Sequence, residues 1–373
     1  MVDYQHMVLL AGGGSGGHIF PNAAVIERLR ELDSERWHGR LIVSNRPLDT
    51  RIAGDLDLPF DAIDALPMSP RPWRWPSVFN AWSRSVKQIT QVIQERRPLA
   101  LIATGGFVSA PAIHAAARAG LPTALVNLDA IPGRANRLAA RSAGRTYSVY
   151  RTWRLPDAEP IGMPLRRVAV SDAKATIARK SLGLLPQKQT LFVTGASQGA
   201  RSINRMMIRL VQREDTKAEL QRWQVLHLAG EHDLSELRDA YLRAGVTSRV
   251  EPFMQNMGEA WRAADIAISR AGAGSVGEAW ANATPTIFFP YPYHRDQHQR
   301  ANAAPLVDID GAMMFDDLID DTANARQIEP PLLAMMKDPT RRHNMASRLA
   351  SHRPPDGALV IAEWLDRLAS TPR

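Results

Sequence analysis

Cysteine is absent from the 373 residues, which excludes disulfide cross-links, thiolate nucleophiles and cysteine-ligated metals. No segment approaches the roughly 18 uninterrupted apolar residues of a membrane-spanning helix. The opening MVDYQHMVLLAGGG has a short apolar run, no basic start and an immediate passage into glycines, so it does not read as a secretory signal. Cytoplasmic placement is the resulting expectation. Low-complexity tracts are missing as well.

What is present is a globular balance, 45% hydrophobic and 23% charged residues. A chain of this length exceeds one ordinary core and predicts two domains of comparable size. The net charge of +8 is uneven: residues 1–167 hold 21 Lys and Arg against 14 Asp and Glu, the remainder 25 against 24. A basic first half suits an anionic partner such as a membrane surface, a nucleic acid or a phosphorylated substrate, or is simply an arginine-rich soluble face.

Short apolar runs alternate with helical stretches. Strands are expected at Met7–Leu10, Leu41–Ser44, Ala100–Ala103, Thr123–Val126 and Thr146–Val149, with helices at Pro21–Leu32, Pro76–Gln94 and Ser109–Ala119. The rhythm breaks over Leu155–Arg167, which holds three prolines and a glycine, a candidate linker. It restarts with strands at Leu191–Thr194, Gln224–Leu228, Arg249–Phe253, Ile266–Ser269 and Thr286–Phe289, and helices at Ala200–Val211, Leu234–Ala244, Gly274–Asn282 and Gln297–Val307. Repeated strand–helix–strand units imply an α/β fold of two Rossmann-like, doubly wound domains, with the ligand cleft expected between them at the carboxyl ends of the strands.

Four glycine-rich turns each follow an apolar strand and open a helix: Gly12–His18, Thr104–Ser109, Gly195–Arg201 and Arg270–Glu278. Glycines let the main chain approach a phosphate, and the helix start presents unpaired N–H groups to it. One such turn is ordinary; four, two per half, fit a diphosphate-bearing ligand. None ends in Gly-Lys-Ser/Thr, and the first is not G-x-G-x-x-G followed by an acidic residue on a second strand, which argues against a P-loop and against NAD. His18 closes the first turn where a helix dipole lowers the imidazole pKa. It is either a general base or a cap of the turn. Glu278 is placed to accept ribose hydroxyls or to compensate the helix N-terminus. His298 and Gln299, after the polar loop Tyr291–Asp296, suit a hydroxyl-rich ligand or form an ordinary helix face. Asp55-Leu-Asp57 and Asp308-Ile-Asp310 lie outside the glycine turns and read as solvated charges, so no metal is expected.

Leu66–Gln94 contains no acidic residue, but has Arg71, Arg74, Arg84 and Lys87 with Trp73, Trp75, Phe79 and Trp82. This mixture suits a membrane interface. Stacking on single-stranded nucleic acid, or packing of Phe79 and Trp82 on the sheet, are the competing readings.

Together, GGSGGHIFP, TGGFVSAP, GASQGAR, GMPLR at Gly162–Arg166, SRAGAGSVGE and DQHQRANA resemble, in order, the motifs of the MurG family of UDP-N-acetylglucosamine transferases. The resemblance runs from Gly13 to about Phe315. It implies a GT-B fold, with residues 1–163 binding acceptor and membrane and 164–373 binding the UDP-sugar, the last helix being able to pack back on the first domain. By resemblance Ser15, Gly16 and Gly17 face the donor diphosphate or sugar and His18 is the candidate base, with Asp129 as the second choice. Arg166 approaches the donor, Ser197 bonds a phosphate oxygen, and Met254 offers main-chain groups to uracil. Ala273, Gly274, Ser275, Val276, Gly277 and Glu278 hold phosphate and ribose, while Gln299, with His298 and Asn302, reads the sugar hydroxyls. Where the family has His-Glu-Gln-Asn, this chain has Val126-Asn127-Leu128-Asp129, so the donor-contacting Asn is replaced by Asp129. Met163 likewise stands where Asn is usual.

The implied reaction is an inverting displacement by the 4-hydroxyl of N-acetylmuramic acid in lipid I, giving lipid II for peptidoglycan synthesis without a metal or cofactor. The implied partners are UDP-GlcNAc, the lipid-linked muramoyl-pentapeptide and the cytoplasmic face of the inner membrane, with other cell-wall synthesis proteins beside them and no nucleic acid. The altered Val126–Asp129 stretch keeps open a related transferase acting on diacylglycerol; an epimerase of the same fold group and an inactive scaffold are the remaining alternatives.

Overall fold

The computed structural model describes residues 6–67, 71–195, 199–294 and 296–371. The chain divides into two compact units, Met1–Arg166 with Pro354–Arg373, and Arg167–Arg353.

The first unit runs β1 (His6–Ala11), α1 (Gly16–Leu32), β2 (Trp37–Ser44), α2 (Pro47–Asp55), β3 (Phe60–Ile63), α3 (Trp75–Arg96), β4 (Ala100–Ala103), α4 (Ser109–Arg118), β5 (Thr123–Asn127), α5 (Arg134–Ala140), β6 (Arg145–Ser148) and β7 (Glu159–Pro160). Its seven strands are parallel, in the order β3-β2-β1-β4-β5-β6-β7. The central strands read MVLLA, ALIA and TALVN and are buried throughout. Such continuous apolar runs are what a parallel sheet covered on both faces requires. Each fully buried Leu or Ile contributes about 1.5–3 kcal/mol of transfer free energy.

The second unit runs α6 (Ala175–Ser181), β8 (Thr190–Thr194), α7 (Arg201–Leu210), α8 (Glu214–Arg222), β9 (Gln224–Leu228), α9 (Leu234–Arg243), β10 (Thr247–Glu251), α10 (Met257–Ala263), β11 (Ile266–Ser269), α11 (Ala273–Ala281), β12 (Thr286–Phe288), α12 (His298–Asp308), β13 (Ala312–Met314), α13 (Asp321–Lys337) and α14 (Pro339–Ser351). Six parallel strands lie in the order β10-β9-β8-β11-β12-β13. The last helix, α15 (Gly357–Ser370), belongs to the first unit. It packs along α1, and Asp356 at its start accepts from Arg28 Nε at 2.7 Å. The unit border thus falls after Arg166 rather than after residue 163, and the chain from Pro354 onward leaves the second unit.

Three differences from the sequence expectations matter. The first helix starts at Gly16, not Pro21, with Ser15 as its N-cap. Gly16, Gly17 and His18 are therefore its first turn, and Pro21 costs only one hydrogen bond near the start. Strands β3, β7 and β13 were not anticipated; each is a short outer strand with sequence FDAI, EP or AMM. On α3 the residues Ala81, Ser85, Ile89 and Ile93 face the core. Trp82 packs against that core beside His114, ring centroids 5.8 Å apart. Trp73, Trp75 and Phe79 are 74%, 60% and 72% exposed, so the aromatic surface is smaller than the composition suggested.

Candidate functional site

In an open parallel sheet the ligand crevice lies where the strand order reverses. In the first unit that point is between β1 and β4, whose carboxyl ends carry the first and second glycine turns. In the second unit it is between β8 and β11, whose ends carry the third and fourth. Strand order thus pairs the four turns two by two.

The first pair is pressed together. Gly106 has φ +76°, and a Cβ there would lie 2.0 Å from the Gly13 carbonyl oxygen. Gly14, at φ +94°, donates its N–H to Asp49 Oδ2 at 2.7 Å. Asp49 is fully buried and also accepts from Ser44 Oγ. Ser109 Oγ clasps the second turn, accepting from Gly105 N at 2.9 Å and donating to Gly105 O at 2.7 Å. Thr104 Oγ1 donates to the main-chain oxygen of His18. Thr104 and Ser109 are the ends of the second turn as read from the sequence; Asp49 carries no motif signal of its own, and sequence reading passed over it.

The His18 ring lies against Gly105, where a Cβ would approach its Cδ2 to 2.7 Å. Its Nδ1 is 3.4 Å from Ser15 Oγ. Burial pulls the imidazole below its usual pKa, against the opposing charges of Asp129 and Asp49 and a hydrogen bond to the Gly13 main chain. The direction agrees with the sequence expectation, and burial is its largest cause. With one ring nitrogen bonded to Gly13, the other keeps the lone pair that a base needs.

Asp129 follows β5 and its charge acts on His18. The turn carrying it is held by Asn127, whose Nδ2 donates to Asp129 O at 2.7 Å and to Ser148 Oγ at 3.0 Å. Asn127 Oδ1 accepts from Asn136 at 3.1 Å. Arg166 does not join this group: its Nε donates to Glu27 Oε1 at 2.9 Å, nine residues or about 14 Å beyond His18 along α1.

In the second unit Ala273, Gly274, Ser275, Val276, Gly277 and Glu278 form the first turns of α11 behind the N-cap Gly272. A Cβ at Gly272 or Gly274 would meet nothing within 4 Å, so the main chain is open to an approaching group. Glu278 Oε2 accepts from Trp261 Nε1 at 2.8 Å, and burial pushes its carboxyl up to about 7 against that bond. Met254 is 9% exposed within the core, so what it offers a ligand must come from its main chain. On α12, Gln299 Oε1 accepts from Tyr291 N at 2.9 Å, which turns the amide nitrogen away as a donor. His298 pairs with Asp296 at 2.8 Å and stacks on His294 at 4.3 Å. Asn302 is buried, with Nδ2 reaching Ala271 O at 3.4 Å, so it braces the turn before α11. Ser197 lies outside the described residues.

Arg270 opens the fourth turn, and its partners could not be read from the motif. It donates to the carbonyl of Phe289 at 3.0 Å and to Ser202 Oγ at 2.7 Å, and pairs with Asp317 at 2.9 Å. Among the described residues no cluster of three or more His, Asp or Glu could hold a metal, and Asp310 pairs with Arg348 at 2.7 Å. No described helix is long and apolar enough to cross a membrane.

The glycosyltransferase family 28 N-terminal domain profile matches residues 8–148 and the C-terminal domain profile residues 190–359. A UDP-N-acetylglucosamine–N-acetylmuramyl-(pentapeptide) pyrophosphoryl-undecaprenol N-acetylglucosamine transferase of a Nocardioides species is 32% identical over 97% of this chain and 96% of its own. The enzyme of the same name from Clavibacter sepedonicus is 34% identical over 98% and 97%. The crystal structure of Acinetobacter baumannii MurG shares the fold, with a TM-score of 0.74 at 20% identity over 97% of this chain and 99% of that one. With both domain profiles matched at the turns described above, and near-full-length relatives above 30% identity, the chain is a family 28 glycosyltransferase and belongs to the MurG family.

Proposed function

We propose that this enzyme transfers N-acetylglucosamine from UDP-N-acetylglucosamine to the 4-hydroxyl of N-acetylmuramic acid in an undecaprenyl-pyrophosphoryl pentapeptide. The pairing of glycine turns at each switch point carries the reading within this family. The acceptor oxygen attacks the anomeric carbon, the bond to the UDP oxygen breaks with inversion, and the proton passes to His18. Negative charge grows on the departing diphosphate, where preorganised main-chain N–H groups stabilise it. UDP release from purified enzyme with lipid I, but not with diacylglycerol, is the expected result. Release with diacylglycerol alone would move the acceptor to the second reading, which the Val126–Asp129 departure keeps open.

The donor site makes a pH-dependent prediction. Glu278 is the stronger acceptor of ribose hydroxyls when ionised, yet its unliganded carboxyl titrates at about 7. Binding selects the ionised form and lowers that pKa. Affinity for UDP-N-acetylglucosamine is therefore full above about pH 8 and declines on acidification, by up to tenfold per pH unit. The donor's pyrophosphate diester does not titrate in this window. Glu278→Gln should abolish the dependence and weaken binding by about 1.5–3 kcal/mol at high pH. Calorimetry finding equal wild-type affinities at pH 6 and 8 would remove Glu278 from the ribose site.

The membrane contact is proposed for the start of α3. Trp73, Trp75 and Phe79 are exposed beside Arg74 and Lys87, whereas Arg84 is engaged by Asp64 at 3.0 Å. Helices α3, α4 and α5 pack in sequence, and Arg134, Arg137, Arg141, Arg145 and Arg154, against the two acids Asp157 and Glu159, line a groove of about 930 Å³ along α5. These features support docking on an anionic cytoplasmic leaflet. Reversing Arg74 and Lys87 to Glu should weaken sedimentation with phosphatidylglycerol vesicles at low salt, at about 1 kcal/mol per charge. Replacing Trp73, Trp75 and Phe79 by Ser should remove the part that survives high salt. Unchanged sedimentation of the combined variant would place the contact elsewhere.

A further inference from the structure

The orientation of Glu278 has an identifiable cause. Trp261 on α10 is fully buried. Its ring meets Phe192 edge-on at 5.0 Å and 87°, and its carbonyl accepts from Thr284 Oγ1 at 2.9 Å. The ring is held on its core side and cannot turn without disturbing that packing. An indole nitrogen only donates, and it donates to Oε2 of Glu278 at 2.8 Å. No other hydrogen bond to that carboxylate is made among the described residues. One oxygen is thus committed to the protein and Oε1 is left, with two lone pairs, to a ligand.

We propose that Trp261 is the positioning residue of the nucleotide site, holding Glu278 by one oxygen so that the other is presented to the vicinal ribose hydroxyls of a uridine diphosphate sugar. The proposal rests on the donor-site reading above. It makes Glu278 a one-oxygen acceptor for the diol, where an unrestrained carboxylate would rotate and offer either edge. It also gives the indole N–H a second effect. A hydrogen bond to the ionised form favours that form, so Trp261 keeps a buried acid within reach of ionisation near neutrality. The charged and titratable groups on the helices packed against α11 are Glu259 and Arg262 on α10, His298, Arg300 and Asp308 on α12, and Arg341, Arg342, His343 and Arg348 on α14. None of them is hydrogen-bonded to the Glu278 carboxylate among the described residues, so the indole is the polar group that offsets the effect of burial on its ionisation.

The test is calorimetric titration of UDP-N-acetylglucosamine into the full-length protein between pH 6 and 9. Trp261→Phe removes the donor and keeps an aromatic ring. A second variant carrying 3-benzothienylalanine at 261 keeps the indole's shape without its N–H, and covers the case in which the Phe variant folds poorly. Both should move the acid decline in affinity to higher pH by about half a unit or more. Affinity should fall about three- to tenfold at pH 7 and less at pH 9. In a Glu278→Gln background the same replacements should cost nothing further. A packing role alone would lower affinity equally at every pH or lower the melting temperature without moving the decline; that result overturns the proposal. If Glu278→Gln itself leaves binding unchanged, the ribose-site reading falls, and this proposal with it.

Discussion

Replacing His18 by Ala is expected to lower turnover by roughly 10²–10⁴-fold, the usual contribution of a general base, with little effect on UDP-N-acetylglucosamine affinity. The imidazole is held by its surroundings rather than by chance of rotamer. Gly105 packs against its ring, Thr104 ties down its main chain, and the Gly13 main chain engages the ring. Burial keeps it neutral at pH 7, while Asp129 and Asp49 act in the opposite sense and favour the imidazolium that forms as the acceptor proton arrives. The pH profile of kcat should accordingly show an acidic limb below the ordinary histidine value of about 6.5, and that limb should vanish in the His18→Ala variant. Single-turnover measurements decide the matter. If the bound-substrate rate holds and donor affinity drops instead, His18 caps the turn and another group is the base.

Asp317→Ala should destabilise the second unit by about 3–5 kcal/mol, the cost of leaving a buried cation without its partner. The Arg270 and Asp317 side chains are only 10% and 1% exposed, with N and O 2.9 Å apart. The carboxylate also accepts from Ser202 Oγ at 2.6 Å, Asn324 Nδ2 at 2.8 Å and Ile319 N at 3.0 Å. Ile319 has φ +62°, an unfavourable backbone for a β-branched residue, and its bond to Asp317 helps to hold it. Burial raises the Asp317 pKa, but the hydrogen bonds and Arg270 outweigh it and leave the group below its usual 3.8. Its contribution is therefore present above about pH 4, where the unfolded-state carboxylate is also ionised, and is lost only as pH falls through the lower folded value. Urea denaturation at pH 7 should show the full loss for Ala and a smaller one for Asn, which keeps some of the hydrogen bonding. A loss under about 1 kcal/mol for Ala would mean that Arg270 finds water or another acceptor. Since Arg270 lies two residues before the N-cap of α11, donor binding should weaken in parallel.

Much of the site was legible because it is local. Each glycine turn is a contiguous run between an apolar strand and a helix, and a turn needs only its own residues to be recognised. His18 and Glu278 lie within such runs, Gln299 follows a polar loop after an apolar strand, and the two-domain α/β class follows from the alternation alone. Other features were invisible for a matching reason. Asp49 acts on Gly14 across 35 positions, Asp317 on Arg270 across 47, and Arg166 turns to Glu27 across 139. No periodicity encodes those partners. The short outer strands β3 and β7 lack the apolar runs that betray a central strand, because less of their surface is covered, and β13 is only three residues long.

The sequence by itself determined which segments are the central strands, where the phosphate-sized turns fall and which residue types they carry, because those depend on side-chain apolarity and on glycine's freedom at positive φ. Only the tertiary structure decided which turns meet. Strand order put β1 beside β4 and β8 beside β11, and so paired the turns at the two switch points. Helical phase on α3, set by the packing of Ala81, Ile89 and Ile93, sent Trp82 inward and left Phe79 outside, with Trp75 exposed at the helix start and Trp73 exposed before it. Contact with α1 drew α15 back to the first unit. Burial pulled His18 towards neutrality and Glu278 up to about 7, since the dielectric around an ionisable group is a property of everything folded against it.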